Sequence, residues 1–149
     1  NNIMDIWEKY RNQTDQTICI IGVIILGVKL CEADGNFSDY ERDEMLKTIP
    51  HTKEMENQIK EIILEAESDR NPIDHHAELI KKFIDEDHHE FLEFIIAVLI
   101  KFAKSDHRYS DVEKETIKRV AKIFGIYDDR NFFERLANKF TMETVENVR

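Results

Sequence analysis

Two short segments carry acidic side chains at the same spacing. Residues 34–41 read DGNFSDYE and residues 106–113 read DHRYSDVE, and they align without a gap as Asp, two residues, an aromatic, Ser-Asp, one residue and Glu. Carboxylates that are held close together raise each other's pKa unless a cation neutralises them. The chemistry that this pattern predicts is the binding of a divalent cation. The candidate metal ligands are Asp34, Glu41, Asp106 and Glu113.

The first segment resembles the second half of an EF-hand calcium loop. Asp34 and Gly35 stand where that loop has an acid and its turn glycine, and Glu41 stands where a bidentate glutamate closes it. The earlier ligand positions hold Leu30 and Glu32, inside an apolar run. Calcium takes six to eight oxygen ligands and magnesium about six, so backbone carbonyls and waters would have to complete the shell. The choice among Ca²⁺, Mg²⁺, Mn²⁺ and Zn²⁺ stays open.

The second segment has His107 where the first has Gly35. A left-handed backbone costs histidine roughly 1–2 kcal/mol more than glycine, so we expect the first loop to hold an ion better. His107 is also a possible fifth ligand. An imidazole ligand would shift the preference from calcium toward zinc or another transition ion. It would also weaken binding below about pH 6.5, where the ring protonates.

Both segments also have a purely structural interpretation. Ser38 with Glu41, and Ser110 with Glu113, have the spacing of a capping box, in which serine and glutamate satisfy each other's backbone amides at a helix start. Gly35 can take the left-handed conformation that ends a preceding helix. The loops are therefore either a cation site or joints between helices.

The paired histidines suggest a third possibility. His75-His76 and His88-His89 are adjacent pairs, and Glu86 precedes His89 by three residues. Di-iron carboxylate bundles use the Glu-x-x-His spacing twice, with two further glutamates on other helices. This chain has one copy, and Asp87 is predicted to be a helix N-cap, which leaves Glu86 outside the regular helix. A di-iron oxidase therefore ranks behind the other two interpretations.

No other motif indicates catalysis. The sequence has no phosphate-binding glycine loop and no serine in a nucleophile elbow. Cys19 and Cys31 lie in one apolar segment, and we expect both to be inert core thiols of a reducing compartment. We predict a non-enzyme without catalytic residues and without an organic cofactor.

Helices must position these side chains. Hydrophobic residues make up 42% of the chain, with four glycines and two prolines, a balance typical of helical proteins. The hydrophobic periodicity predicts an all-α fold, a bundle of about seven helices in one domain with pseudo-twofold halves. Leu26 and Val98 are predicted to occupy equivalent buried positions. The predicted ranges are a leading helix within 1–14, a first half 15–86 with central helix 15–34, a second half 87–140 with central helix 87–104, and a tail 141–149.

Capping residues and prolines predict the helix boundaries. The predicted starts are Thr14 or Asp15, Ser38, Thr52, Pro72 as first helical residue, Asp87, Ser110, and Asp128 or Asp129. Gly125 is predicted to end the helix that begins at Ser110. Phe37 and Tyr109 precede caps, but their staple partners would be the charged Arg42 and Lys114, so we expect both aromatic rings to fill the core.

Charge and hydropathy limit the partners. The formal net charge of −10 argues against nucleic acid as a partner, because an acidic body repels phosphate. The longest apolar run, Ile18 to Val28, is shorter than the about 20 residues that span a bilayer, and residues 1–16 are too polar for a signal peptide. We expect a cytoplasmic protein without a transmembrane segment. It should have a protein partner, which the sequence does not identify, and the oligomeric state is not predicted.

The residues around both acidic segments resemble a known family. LCEADGNFS at 30–38 with Glu41, and FAKSD at 102–106 through Glu113 to IFGI at 123–126, resemble the signature of TerB-like domains. That family includes the tellurite-resistance protein TerB and a region of the co-chaperone DjlA. The resemblance covers roughly residues 15–140. It implies an all-helical fold in which the acidic residues of the two loops lie near each other, with links to stress response and to metal ions.

The chain also departs from that family. His107 stands where the family has glycine, and no His-Pro-Asp tripeptide of a J-domain occurs in the chain. The expected function is a non-enzymatic module, related to stress or tellurite resistance, that binds a divalent cation through its acidic loops. The alternative is an interaction scaffold or co-chaperone-associated domain with purely structural loops.

Overall fold

The regular elements are helices throughout the part of the chain that the structure describes. A computed structural model describes residues 6–35, 37–105 and 109–139. The α-helices are α1 Asp15–Ala33, α2 Asp39–Thr48, α3 Glu56–Ser68, α4 Ile73–Phe83, α5 His89–Lys104, α6 Asp111–Phe124 and α7 Phe132–Lys139. Short 3-10 turns occupy Ile6–Glu8, Lys53–Met55 and Glu86–His88. The predicted all-α fold is confirmed.

Helices α1 and α5 form the centre of the bundle. Helix α1 packs against α3, α4, α5 and α6, and α5 packs in addition against α6 and α7. All residues from Ile18 to Cys31 except Ile20 are buried in α1, and a continuous buried run in α5 extends from Phe94 to Ile100. A helix that is apolar on nearly every side must be enclosed by neighbours, which is why these two helices are central.

Helix α1 also has the length and apolar composition of a membrane span. Among the described helices it is the one that meets both criteria, over Asp15–Ala33. Within the fold, 78% of its apolar window is buried against the other helices. The packing of the core therefore accounts for its apolar composition.

Two capping boxes are present where the sequence predicts them. Ser38 caps α2 and Ser110 caps α6, each with the reciprocal bond from its glutamate. Thr14 caps α1, and its side-chain oxygen accepts from the amide of Thr17 at 3.2 Å. Gly125 ends α6 with a left-handed φ of 77°, as predicted.

Two predicted helix starts are too early because a 3-10 turn precedes the α-helix. Thr52 makes no side-chain cap bond, and α3 begins at Glu56, after the turn Lys53–Met55. Asp87 is not an N-cap; Asp85 is, since its side chain accepts from the amide of Asp87 at 2.9 Å. 3-10 turns are common at α-helix termini and carry the same capping signals, so the sequence does not separate the two.

Other predicted helix boundaries also differ from the observed ones. Pro72 is the N-cap of α4 and not its first helical residue, because its ψ of 162° is extended. The last helix begins at Phe132, and the carbonyl of Asn131 accepts from Arg135, so neither Asp128 nor Asp129 caps it. Within the predicted leading helix, the described residues form a 3-10 turn at Ile6–Glu8 and then non-helical turns.

Leu26 and Val98 are both buried, as predicted, with 0% and 3% of their surfaces exposed. Asp34 is the C-cap of α1, and Gly35 follows it with a φ of +140°, a value that favours glycine. The pseudo-twofold relation of the two halves stays a prediction.

Candidate functional site

The aromatic residue before each capping box packs under a cation. The guanidinium carbon of Arg42 lies 5.3 Å from the ring centre of Phe37, and the ammonium of Lys114 lies 5.1 Å from that of Tyr109. Both rings are half-buried and pack against the core, as predicted. The charged residue at the fourth helical position thus makes a cation–π contact where many helices have a hydrophobic staple.

The capping boxes hold Glu41 and Glu113 in defined orientations. Oε1 of Glu41 accepts from the amide of Ser38 at 2.9 Å, and Oε1 of Glu113 accepts from the amide of Ser110 at 3.1 Å. In return the two serine hydroxyls accept from the glutamate amides, each at 3.1 Å. Each carboxylate therefore has one oxygen committed to its helix cap.

These two glutamates line the same crevice although 72 positions separate them in the sequence. We call it the inter-loop crevice. It lies between the last turn of α1, the first turns of α2 and α6, and the end of α5. Its other described lining residues are Cys31, Tyr40, Glu44, Phe102 and Ser105. The expectation that acidic residues of the two loops lie near each other holds for this pair.

Burial makes the electrostatics of the second loop unusual. Glu113 is 3% exposed, and the neighbouring Tyr109 is half-buried. Burial, and then the negative charge of Glu113, raise the pKa of Tyr109 to about 12. The phenol is therefore neutral at physiological pH. Two ammonium groups, of Lys104 and Lys114, lie within 5.5 Å of its ring centre.

The structure places the predicted ligands in different settings. Asp34 is exposed at the end of α1, where its amide donates to the carbonyl of Cys31, and it is not among the described lining residues of the inter-loop crevice. Asp106 and His107 lie outside the described residues. Glu41 and Glu113 are the predicted ligands that the described structure brings together.

Glu44 is a crevice residue that the sequence analysis missed. It lies three positions after Glu41 on α2, a spacing that puts both carboxylates on one face of a helix. This i, i+3 spacing could have identified Glu44 from the sequence. Cys31 and Ser105 could not have been found in this way, because the folding of α1 against α5 brings them to the crevice.

The described residues alone do not complete a metal site. Over 6–35, 37–105 and 109–139 no three His, Cys, Asp or Glu side chains converge well enough to hold an ion. A cation would need further donors, and because the inter-loop crevice as described has no room for a water molecule, its lining side chains would have to move apart to admit the ion. Asp106 directly follows Ser105, which lines the crevice.

The histidines form no joint site in the described structure. Both ring nitrogens of the buried His76 are engaged, by Trp7 and by Asp69. His88 bonds to Asp15 in a 3-10 turn, while Glu86 and His89 are exposed. The described arrangement offers no support for the di-iron alternative.

The fold and this geometry define a class: an all-α bundle in which the capped first turns of α2 and α6 line one acidic crevice. The sequence profile described as tellurite resistance protein TerB matches residues 21–136. Because the match spans most of the chain, the chain belongs to the TerB family. No curated protein and no solved structure matches it significantly.

Proposed function

We propose that this chain is a non-enzymatic TerB-like module that binds one divalent cation at the inter-loop crevice. The observation that carries the proposal is the convergence of Glu41 and Glu113, each oriented by its own capping box, on one crevice. The role of such a module would be in stress or tellurite resistance. The buried cysteines Cys19 and Cys31 do not form a disulfide with each other, which is consistent with the reducing cytoplasm.

The crevice offers oxygen ligands for a hard cation. In each capping box one carboxylate oxygen serves the helix, and Glu41 can use its second oxygen for an ion at the same time. Glu44, which pairs with Lys47 at 3.6 Å, also lines the crevice, although the described carboxylates alone do not form a complete ligand set. Oxygen ligands favour Ca²⁺, Mg²⁺ or Mn²⁺, whereas a contribution from Cys31 or His107 would favour Zn²⁺.

Titration calorimetry with Ca²⁺, Mg²⁺, Mn²⁺ and Zn²⁺ tests the proposal on the full chain and on three variants. Glu41→Gln should weaken binding and keep much of the cap, since glutamine also completes a capping box. Asp34→Asn should weaken binding less than Glu41→Gln, because Asp34 is exposed and is not among the described residues that line the crevice. Asp106→Asn tests the acid that directly follows the crevice residue Ser105. Melting temperatures without metal separate loss of a ligand from loss of stability. If neither the native chain nor any variant binds a cation, and Asp34→Asn only lowers the melting temperature, the loops connect helices and do not form a cation site.

The second candidate is an interaction scaffold or co-chaperone-associated domain with structural loops. The capping boxes favour it, because they give Ser38, Glu41, Ser110 and Glu113 a complete structural role without any ion. This candidate predicts no heat with any of the four cations. It also predicts that Glu41→Gln changes the melting temperature little.

A further inference from the structure

A second concave site lies between α1 and α3. Its volume is about 560 Å³, within the range of small-molecule pockets, roughly 300–1,000 Å³. Ile21 and Ile24 of α1 and Ile59 and Ile62 of α3 form its buried floor. We call it the α1–α3 cleft. It lies near the start of α1, whereas the inter-loop crevice lies near its end.

The mouth of the α1–α3 cleft is apolar and accessible. Met55, just before α3, is 40% exposed, and Ile20 is the residue of the central α1 run that is not fully buried. Both line the cleft. The apolar surface therefore continues from the solvent to the floor, which gives an apolar ligand a path of entry.

The polar groups of the cleft are uncharged. Gln16, Thr17, Thr52 and Gln58 line it, and no charged side chain is among its described lining residues, in a chain that is 35% charged. The hydroxyl of Thr52 makes no cap bond, and no bond from the amides of Gln16 and Gln58 to the described protein is observed. These amides and this hydroxyl are available to hydrogen-bond a ligand.

The size of the cleft favours a small molecule over a protein partner. A stable protein interface takes about 20–30 residues from each side, and eleven described residues line this cleft. The stripe on α1 from Gln16 to Ile24 is about 12 Å long. A charged head at the mouth would find no counter-charge among the described lining residues, which favours an uncharged head.

We propose that the α1–α3 cleft binds a small uncharged amphipathic molecule, with an elongated apolar body of about 12 Å and a hydrogen-bonding head. The apolar body would lie on Ile21, Ile24, Ile59 and Ile62, and the head would meet Gln16, Thr52 and Gln58 at the mouth. This site is independent of the cation proposed for the inter-loop crevice.

Fluorescence titration of the full chain with the neutral dye N-phenyl-1-naphthylamine tests this proposal. We expect saturable binding of one dye per chain, displaced by 1-decanol and about tenfold or more less effectively by decanoate, whose carboxylate would meet an apolar lining without a counter-charge. Met55→Glu places a charge at the mouth and should weaken dye binding about tenfold or more. Leu64→Glu is the matched control, since Leu64 is 58% exposed on α3 but does not line the cleft.

Circular dichroism would establish that both variants fold. The proposal is overturned if the dye does not saturate, if decanoate competes as well as decanol, or if Leu64→Glu weakens binding as much as Met55→Glu. It is also overturned if the dye does not bind and sedimentation shows a dimer that Met55→Glu dissociates, because the cleft would then be an interface between two copies.

Discussion

The indole N–H of Trp7 donates a hydrogen bond of 2.9 Å to Nδ1 of His76, a side chain with no exposed surface. On the other side of the ring, Nε2–H of His76 donates to Oδ2 of Asp69 at 2.7 Å. Because an indole nitrogen can only donate, Nδ1 must be unprotonated, and the ring is the neutral tautomer with its proton on Nε2. These bonds connect the first described turn to α4 and to the α3–α4 connection.

Because His76 is buried as a neutral ring, we expect the fold to lose stability on mild acidification. Burial, with smaller contributions from His75 and Lys29, lowers the pKa of His76 against the opposing effect of Asp69. A lowered pKa means that this stabilisation is complete above the unfolded pKa of about 6.5 and is lost as the pH falls through the folded pKa. His76→Phe should lower the melting temperature at pH 7.5, since the Trp7 N–H loses its acceptor, at a cost of about 1–3 kcal/mol.

Melting curves between pH 7.5 and 5 check this prediction. The native chain should lose stability across the interval, and His76→Phe should show a flatter dependence. His89→Gln, at an exposed histidine, is the control. A native profile as flat as that of His76→Phe would contradict the assignment.

The stabilisation that His88 contributes should change with pH in the opposite direction to that of His76. Its hydrogen bond to Asp15 raises the pKa of His88, so this stabilisation is complete below about pH 6.5 and is lost as the pH rises through the folded pKa. His88→Gln removes a contribution that grows on acidification. The same melting series should therefore show a steeper loss of stability for His88→Gln than for the native chain. A shallower loss would show that the Asp15 contact is not formed in solution.

Lys29 is buried inside α1 because Asp69 neutralises it. Its ammonium donates to the carbonyl of Asp69 at 2.6 Å and lies 3.3 Å from that residue's Oδ2. Burial alone would raise the pKa of Asp69, but His76 and Lys29 outweigh it and lower the pKa overall. Lys29→Met leaves Asp69 without its cation and should cost about 3–5 kcal/mol in chemical denaturation. Lys60→Met, in the surface pair with Glu56, should cost about 1 kcal/mol or less. Equal losses would contradict a buried role for Lys29.

Leu26 and Val98 should both be sensitive to truncation. Leu26→Ala should cost about 2–5 kcal/mol, and Val98→Ala less, because it removes fewer buried carbons. Denaturant unfolding of the two variants checks this, with Val112→Ala as the control, since Val112 is 47% exposed. A cost for Leu26→Ala no greater than that for Val112→Ala would contradict the central position of α1.

Local signals in the sequence predicted much of the fold. Ser38, Ser110 and Gly125 mark helix ends through bonds to residues a few positions away, so the sequence itself contains both partners. The apolar character of α1 and α5 likewise predicted that both are central. The 3-10 turns before α3 and α5 were missed, because their caps do not differ from those of an α-helix.

The features that the sequence did not predict depend on contacts between residues that are far apart in the sequence. Lys29 interrupts an apolar run in the sequence, and its burial depends on Asp69, 40 positions away. His76 was one of a pair of adjacent histidines, and its role depends on Trp7, 69 positions away. The candidate site likewise depends on residues that are distant in the sequence. The sequence predicted its acidic residues, and the tertiary fold decided that Glu41 and Glu113, with the unpredicted Glu44, line one crevice.

The most direct test of the central proposal is calorimetric titration of Glu113→Gln beside the native chain, with the cation that the native chain binds best. Glutamine keeps the capping box of α6, so the variant should fold while one proposed ligand loses its charge. Asp111→Asn is the control, because Asp111 is an exposed acid of the same helical turn that does not line the inter-loop crevice. We predict that native and Asp111→Asn bind one ion with similar affinity, and that Glu113→Gln binds it about tenfold or more weakly. A native chain that takes up none of the four cations, or a Glu113→Gln variant that binds as tightly as the native chain, would contradict the proposal.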